Sequence, residues 1–179
     1  LRLRGAEIDS GIKHLLVMGT AWEYGEGASR YKYIAADAPL EPIGPYASSK
    51  AAMFQLLNAL VNEQKVSLTY IRLFTVYGEG QCSKNFWPSL RSAAISGKDF
   101  KMTKGEQVGY FVNVKDVAQH LLSTIKSRDN IELKVETYNF DRGKEQTLLE
   151  FAEYWWKKWQ AKGKLIPGSI PYRKDTQMR

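Results

Sequence analysis

Hydrophobic and polar positions follow two rhythms along this chain. Lys13-His14-Leu15-Leu16-Val17-Met18-Gly19 is an apolar run closed by glycine, the form of a strand covered on both faces of a parallel sheet. Residues 1–13 start without a turn or cap and read as the tail of a helix stopped near Gly11, so more chain is expected upstream. From Tyr46 to Gln64 the period becomes helical, with Met53, Phe54, Leu57, Leu60 and Val61 on one side as core or as an oligomer contact. Val66 to Phe74 returns to strand character, and strand, helix, strand in this order predicts a right-handed crossover in a parallel sheet.

The rest of the pattern is shorter in wavelength. Residues 86–97 predict a helix ended by Gly97, Phe100 to Thr103 a short strand closed by Gly105, and Gly109 to Val114 another strand. Lys115 to Ser127 predicts a helix with Val117, Leu121, Leu122 and Ile125 on its apolar side, and Tyr138-Asn139-Phe140 is strand-like. Thr147 followed by Glu150 marks a helix start, and Leu148, Phe151, Trp155 and Trp159 form an aromatic stripe that suits core packing. Residues 25–45, with Gly25, Gly27, Pro39, Pro42, Gly44 and Pro45, read as a long functional loop, and residues 75–81 as a loop at the strand ends.

Composition narrows the classes. With 179 residues, 44% hydrophobic and 25% charged, the chain suits a globular domain with a core. It has no apolar run of membrane-spanning length and no signal-peptide layout at its first residue, so a soluble cytoplasmic protein is expected. The net charge of +7 is dispersed in pairs such as Lys157-Lys158, which describes a solvated surface and no nucleic-acid partner. His14 and His120 are far apart and give no metal spacing; the single Cys82 cannot form an internal disulfide and is expected to be a small buried thiol.

The chemistry centres on Pro45-Tyr46-Ala47-Ser48-Ser49-Lys50. On a helix Tyr46 and Lys50 stand one turn apart on the same face, so the ammonium can stabilise the phenolate of a tyrosine whose ordinary pKa, about 10, is too high for proton transfer. Thr20 follows the first strand, at the end where open α/β sheets bind ligands; its hydroxyl can meet a substrate or simply bond the local backbone.

Three motifs now stand in order: Gly19-Thr20-(x)3-Tyr24-Gly25, Tyr46-(x)3-Lys50, and Arg72-Leu73-Phe74-Thr75-Val76-Tyr77-Gly78. With Val112-Asn113-Val114-Lys115-Asp116-Val117-Ala118 they resemble the extended short-chain dehydrogenase/reductase family, in particular its NAD-dependent epimerase/dehydratase group acting on nucleotide sugars. The resemblance implies a Rossmann-like doubly wound parallel sheet in the α/β class, with a smaller C-terminal substrate-binding region. Residues 1–82 would be the end of the Rossmann-like domain and 83–179 mainly the substrate region, with segments returning to the core. It further implies that Tyr46 carries the proton, that Lys50 lowers the Tyr46 pKa and holds the nicotinamide ribose, and that Thr20 bonds the reacting oxygen. Phe74, Thr75 and Val76 would lie beside the nicotinamide and sugar, and Arg173 would clamp the substrate diphosphate, for which a planar guanidinium is suited. The implied cofactor is NAD or NADP, the substrate a nucleotide-diphosphate sugar, and the intact protein a homodimer.

Departures from that pattern matter equally. Ala21-Trp22 stand where dehydratases carry an Asp-Glu pair, which argues against 4,6-dehydration. Thr75 replaces an asparagine, and Gly109-Tyr110 stand where the family has Arg-Asp before the aromatic residue. The glycine-rich turn that holds a dinucleotide pyrophosphate should lie upstream of Leu1; Gly25-x-Gly27 and Gly78-x-Gly80 lack its third glycine and strand-turn-helix setting. Two readings follow: a fragment, inactive alone, of a nucleotide-sugar epimerase or 4-ketoreductase, and a non-catalytic nucleotide-binding or regulatory module that keeps the fold.

Overall fold

The structure, a computed structural model, describes residues 11–126 and 134–172. The expected helix tail at residues 1–10 and Arg173 lie outside the described residues. The chain divides into two compact units: unit 1 runs to Phe74 and resumes at His120–Phe140, and unit 2 comprises Thr75–Gln119 and the residues from Asp141.

Unit 1 holds the parallel sheet that the alternating rhythm predicts. Strand β1 (His14–Thr20) pairs with β2 (Ser67–Leu73), and β2 with β6 (Val135–Phe140), all parallel and in the order β1-β2-β6. β2 is central and buried from Ser67 to Arg72. β1 is only half-buried and exposes Met18, because among the described residues it has β2 alone as a neighbour. Helix α1 (Gly44–Gln64) starts with Pro45 in its first turn, where the missing N–H costs nothing, and ends at Lys65 in the left-handed region. Its stripe lies inward as expected: Met53, Phe54 and Leu57 pack with buried Val61 against Val66, Leu68 and Tyr70.

The segment expected as loop from Gly25 starts instead as a 3-10 helix, Ala21–Arg30, with Gly25 (φ +51°) kinking it. Its cause is a capping box: Thr20 and Glu23 bond each other's backbone N–H groups, the Thr-x-x-Glu signature of a helix start. The irregular stretch is therefore confined to residues 31–43, and it is pinned back at Glu41. The Glu26 N–H donates to the Glu41 carbonyl, Arg30 makes two 2.7 Å bonds to the Glu41 carboxylate, and a Cβ on Gly25 would lie 1.7 Å from the Glu41 oxygen. Gly25 thus admits a crossing of two backbones.

Unit 2 is built on β3 (Thr75–Tyr77), β5 (Val108–Asn113) and β7 (Glu145–Thr147), with β3 parallel and β7 antiparallel to β5. The first residues of the expected loop 75–81 are therefore strand, paired through Thr75 to Phe111. A second small sheet joins β4 (Phe100–Lys101) to β8 (Leu165–Ile166). Helices α2 (Phe86–Ile95) and α4 (Leu148–Lys158) enclose Leu90, Met102 and Ala152. The aromatic stripe of α4 is core: Phe151 stacks on Phe111 at 4.2 Å, and Trp155 meets Tyr77, Trp87 and Trp159 within 5.7 Å. Thr147 and Glu150 form the expected capping box.

Two expectations fail locally. On α3 (Val114–Lys126) only Val117 is buried, while Leu122 and Ile125 face solvent. Cys82 is exposed, because it sits in the turn before α2, where its carbonyl accepts the Asn85 N–H.

Candidate active site

Thr20 ends β1 level with Leu73 of β2, which is level with Phe140 of β6, so it lies at the carboxyl end of the sheet. It is nearly buried. Its hydroxyl oxygen accepts the Trp22 N–H at 3.3 Å, the local bond that threonines at helix starts make, while its hydroxyl hydrogen has no partner among the described residues. Tyr46 stands in the first turn of α1 with 58% of its surface exposed, and Lys50 follows one turn on, half-buried. The Lys50 ammonium has no hydrogen-bond or ion-pair partner among the described residues. It is thus available to ribose hydroxyls and to a phenolate, as a nicotinamide nucleotide would require.

The structure brings Thr20 and Tyr46 together through Trp22. Bonded by its N–H to Thr20, Trp22 sets its ring edge-on to the Tyr46 ring, with centroids 6.4 Å apart and planes at 86°. An apolar indole, half-exposed, therefore stands beside the phenol where an acidic side chain would repel a phenolate.

Beneath these groups lies a buried network that the sequence reading did not single out. Glu23 and Arg72, 0% and 1% exposed, form an ion pair, Arg72 Nε donating to Glu23 Oε2 at 2.8 Å. The other oxygen, Oε1, accepts the Thr20 N–H and the Tyr70 hydroxyl, each at 2.9 Å. The Arg72 guanidinium also donates to the Ala36 carbonyl and the Tyr24 hydroxyl, and lies over the rings of Phe54, Tyr24 and Tyr70. Tyr24 donates to Asn139, whose amide donates to the Ile34 carbonyl. A buried charge costs several kcal/mol unless it is paired and hydrogen-bonded, and here every polar atom of the Glu23 carboxylate is satisfied. Burial, with the adjacent Glu23 charge, raises the Tyr70 pKa far above that of a free phenol; burial also raises that of Tyr24, with Arg72 opposing it. Both therefore remain hydrogen-bond donors. The signal was present in the sequence: an arginine inside the apolar run Val66–Phe74 must find a buried acceptor.

Phe74 follows β2, half-buried, and Thr75 and Val76 open unit 2 on β3. Thr75 is exposed, and its hydroxyl would lie 3.7 Å from a Cβ on Gly109. The two departures from the family pattern in unit 2 are therefore neighbours. Arg173 lies outside the described residues.

The fold is that of the Rossmann-type epimerases and dehydratases. The structure superposes on UDP-N-acetylglucosamine 4-epimerase from Methanobrevibacter ruminantium M1, crystallised with UDP-N-acetylmuramic acid, with a TM-score of 0.78 and 21% identity over 94% of this chain and 53% of that one. The dTDP-glucose 4,6-dehydratase DesIV from Streptomyces venezuelae, solved with NAD and TYD bound, gives 0.75 and 19% over 96% and 52%. In sequence, UDP-glucose 4-epimerase of Lactobacillus helveticus is 27% identical over 143 residues, 66% of this chain and 43% of the relative. The chain thus spans about half the length of these relatives. The model of the NAD dependent epimerase/dehydratase family matches residues 2–139, which include Thr20, Tyr46, Lys50 and the Arg72-Leu73-Phe74 motif. This chain belongs to that family.

Proposed function

We propose that this chain carries the proton-handling part of an NAD(P)-dependent enzyme acting on nucleotide-diphosphate sugars, as an epimerase or a 4-ketoreductase. The observation that carries the reading is the unclaimed triad in unit 1: an exposed Tyr46 phenol, a Lys50 ammonium one turn along with no described partner, and a Thr20 hydroxyl hydrogen equally free beside Trp22. A bound nicotinamide supplies the hydride acceptor or donor. Tyr46 takes the proton from a sugar hydroxyl as its carbon loses hydride, leaving a carbonyl, or returns it in the reverse direction. Lys50 attracts the phenolate oxygen and meets the ribose hydroxyls, and Thr20 donates to the reacting oxygen. Phe74, Thr75, Val76 and Arg173 are assigned to nicotinamide, sugar and diphosphate on resemblance alone. Trp22, beside Tyr46, is a poor substitute for the acid that dehydration needs, which supports epimerase or reductase chemistry.

The relatives' UDP-sugars and NAD name the ligands to try. The longest open reading frame that contains this chain should be expressed and assayed with UDP-glucose and NAD, and with a nucleotide-linked 4-keto-6-deoxysugar and NADPH. Tyr46→Phe is expected to lower turnover by about 10²–10⁴-fold with the fold intact. Unchanged turnover in this variant would reject Tyr46 as the proton carrier.

A further inference from the structure

Two buried side chains of unit 1 have no part in the proton transfer assigned to Thr20, Tyr46 and Lys50, yet they join the segments that carry those residues. Glu23 Oε1 accepts the backbone N–H of Thr20 at 2.9 Å. The same oxygen accepts the Tyr70 hydroxyl at 2.9 Å, and that hydroxyl also lies 3.3 Å from the backbone carbonyl of Lys50. A phenol has one hydrogen, so Tyr70 shares it between the carboxylate and the helix carbonyl, with the shorter bond to Glu23. The bridge therefore begins on the backbone of Thr20 and ends on the backbone of Lys50.

We propose that Glu23 and Tyr70 are positioning residues whose carboxylate–phenol bridge sets the end of β1, with Thr20, against the turn of α1 that carries Tyr46 and Lys50. This rests on the reading of those three side chains as the reacting groups. Three features support it. The bridge is rigid, because both residues are fully buried and the second Glu23 oxygen is fixed by Arg72 at 2.8 Å. It is also tight: a Cβ on Gly19 would lie 2.3 Å from Cε1 of Tyr70 and 2.4 Å from Glu23 Oε1, so the phenol and carboxylate press directly on the strand backbone before Thr20. Finally, it is costly for mere adhesion. A well-packed apolar group could replace the buried polar set without loss of stability, whereas only directional bonds to these two backbone atoms fix their separation. Displacing reacting groups by about 1 Å can cost about 10²-fold in rate, so a bond ending on each segment has a kinetic use.

Tyr70→Phe tests this, because it removes one oxygen and leaves the ring in place against Phe54. In the longest reading frame containing the chain, assayed with whichever of UDP-glucose and NAD or the 4-keto sugar nucleotide and NADPH it turns over, kcat is expected to fall about 10-fold or more. KM for the sugar nucleotide should stay within about twofold and the melting temperature within a few degrees. Tyr46→Phe is measured alongside. A Tyr70→Phe protein with wild-type kcat overturns the bridge. So does one whose kcat and KM worsen together with a large loss of melting temperature or of soluble protein, since Tyr70 would then serve the core alone. If Tyr46→Phe itself keeps its turnover, the reading of the site falls and the bridge with it; if only Tyr70→Phe behaves as wild type, the site reading stands.

Discussion

Different physics stabilises the interior of each unit. Around Arg72 in unit 1, burial is charged and hydrogen-bonded, with Glu23, Tyr24, Tyr70 and Asn139 each bonded by a named atom. Around Trp155 in unit 2, burial is aromatic, with edge-to-face and tilted ring contacts and no ion pair in the cluster among the described residues. Ring packing tolerates small rotations at little cost, because dispersion is spread over many weak contacts. A carboxylate with three donors aimed at it does not. The directional network lies under the residues proposed as the reacting groups, and the adaptable packing lies in the other unit.

Substitutions can break this contrast or sharpen it. The largest expected effect is at Arg72: Arg72→Ala leaves Glu23 buried without its cation and should cost about 3–5 kcal/mol in denaturant unfolding. The double change Glu23→Leu with Arg72→Met should cost much less than the two single changes summed; additive losses would mean that the pair is not a coupled unit. In unit 2, Phe151→Ala should cost about 3–4 kcal/mol and Phe151→Leu no more than about 1.5, because ring packing depends on filled volume rather than on a particular atom. If Phe151→Leu proved as damaging as Phe151→Ala, the adaptable character assigned to this cluster would be wrong. The smallest effect is at the start of α4: Thr147→Ala should cost about 1 kcal/mol, measured at neutral pH.

That last difference should itself depend on pH. Backbone and hydroxyl bonds from Thr147 hold the Glu150 carboxyl below its ordinary pKa. A depressed carboxylate stabilises the fold above its unfolded pKa and loses that contribution as pH falls through the folded value. The gap between wild type and Thr147→Ala should therefore shrink on acidification below the ordinary glutamate range, and a gap independent of pH from 7 to 3 would remove Glu150 from the account.

Regular elements were legible in the sequence wherever one physical signal dominated. The period of α1, the buried run of β2 and the Thr147–Glu150 box each have a local cause, and each is found. The same box at Thr20–Glu23 went unread because glycines at 25 and 27 suggested a loop; they serve the crossing of Glu41 instead. Leu122 and Ile125 have helical spacing but no covering surface among the described residues, and periodicity alone does not say what a face meets. Thr20, Tyr46 and Lys50, the groups proposed to react, stand out in the sequence by order and spacing. Glu23 and Tyr70 were not, because neither is distinguished locally: their role exists only once β2 brings Tyr70 beside the end of β1, a separation of 47 residues between the two.

The crossing at Gly25 has a consequence for how much the chain can vary. Because Glu41 is fastened to Glu26 and Arg30, the route into α1 is set at residue 41 and not by the length of the stretch before it. Tyr33, 72% exposed, lies within that closed stretch. Lengthening an already closed surface loop costs only about 0.6 kcal/mol per doubling. Residues 31–33 are thus a place where this lineage can gain or lose sequence, or an engineer can insert an epitope, without moving the helix that presents Tyr46.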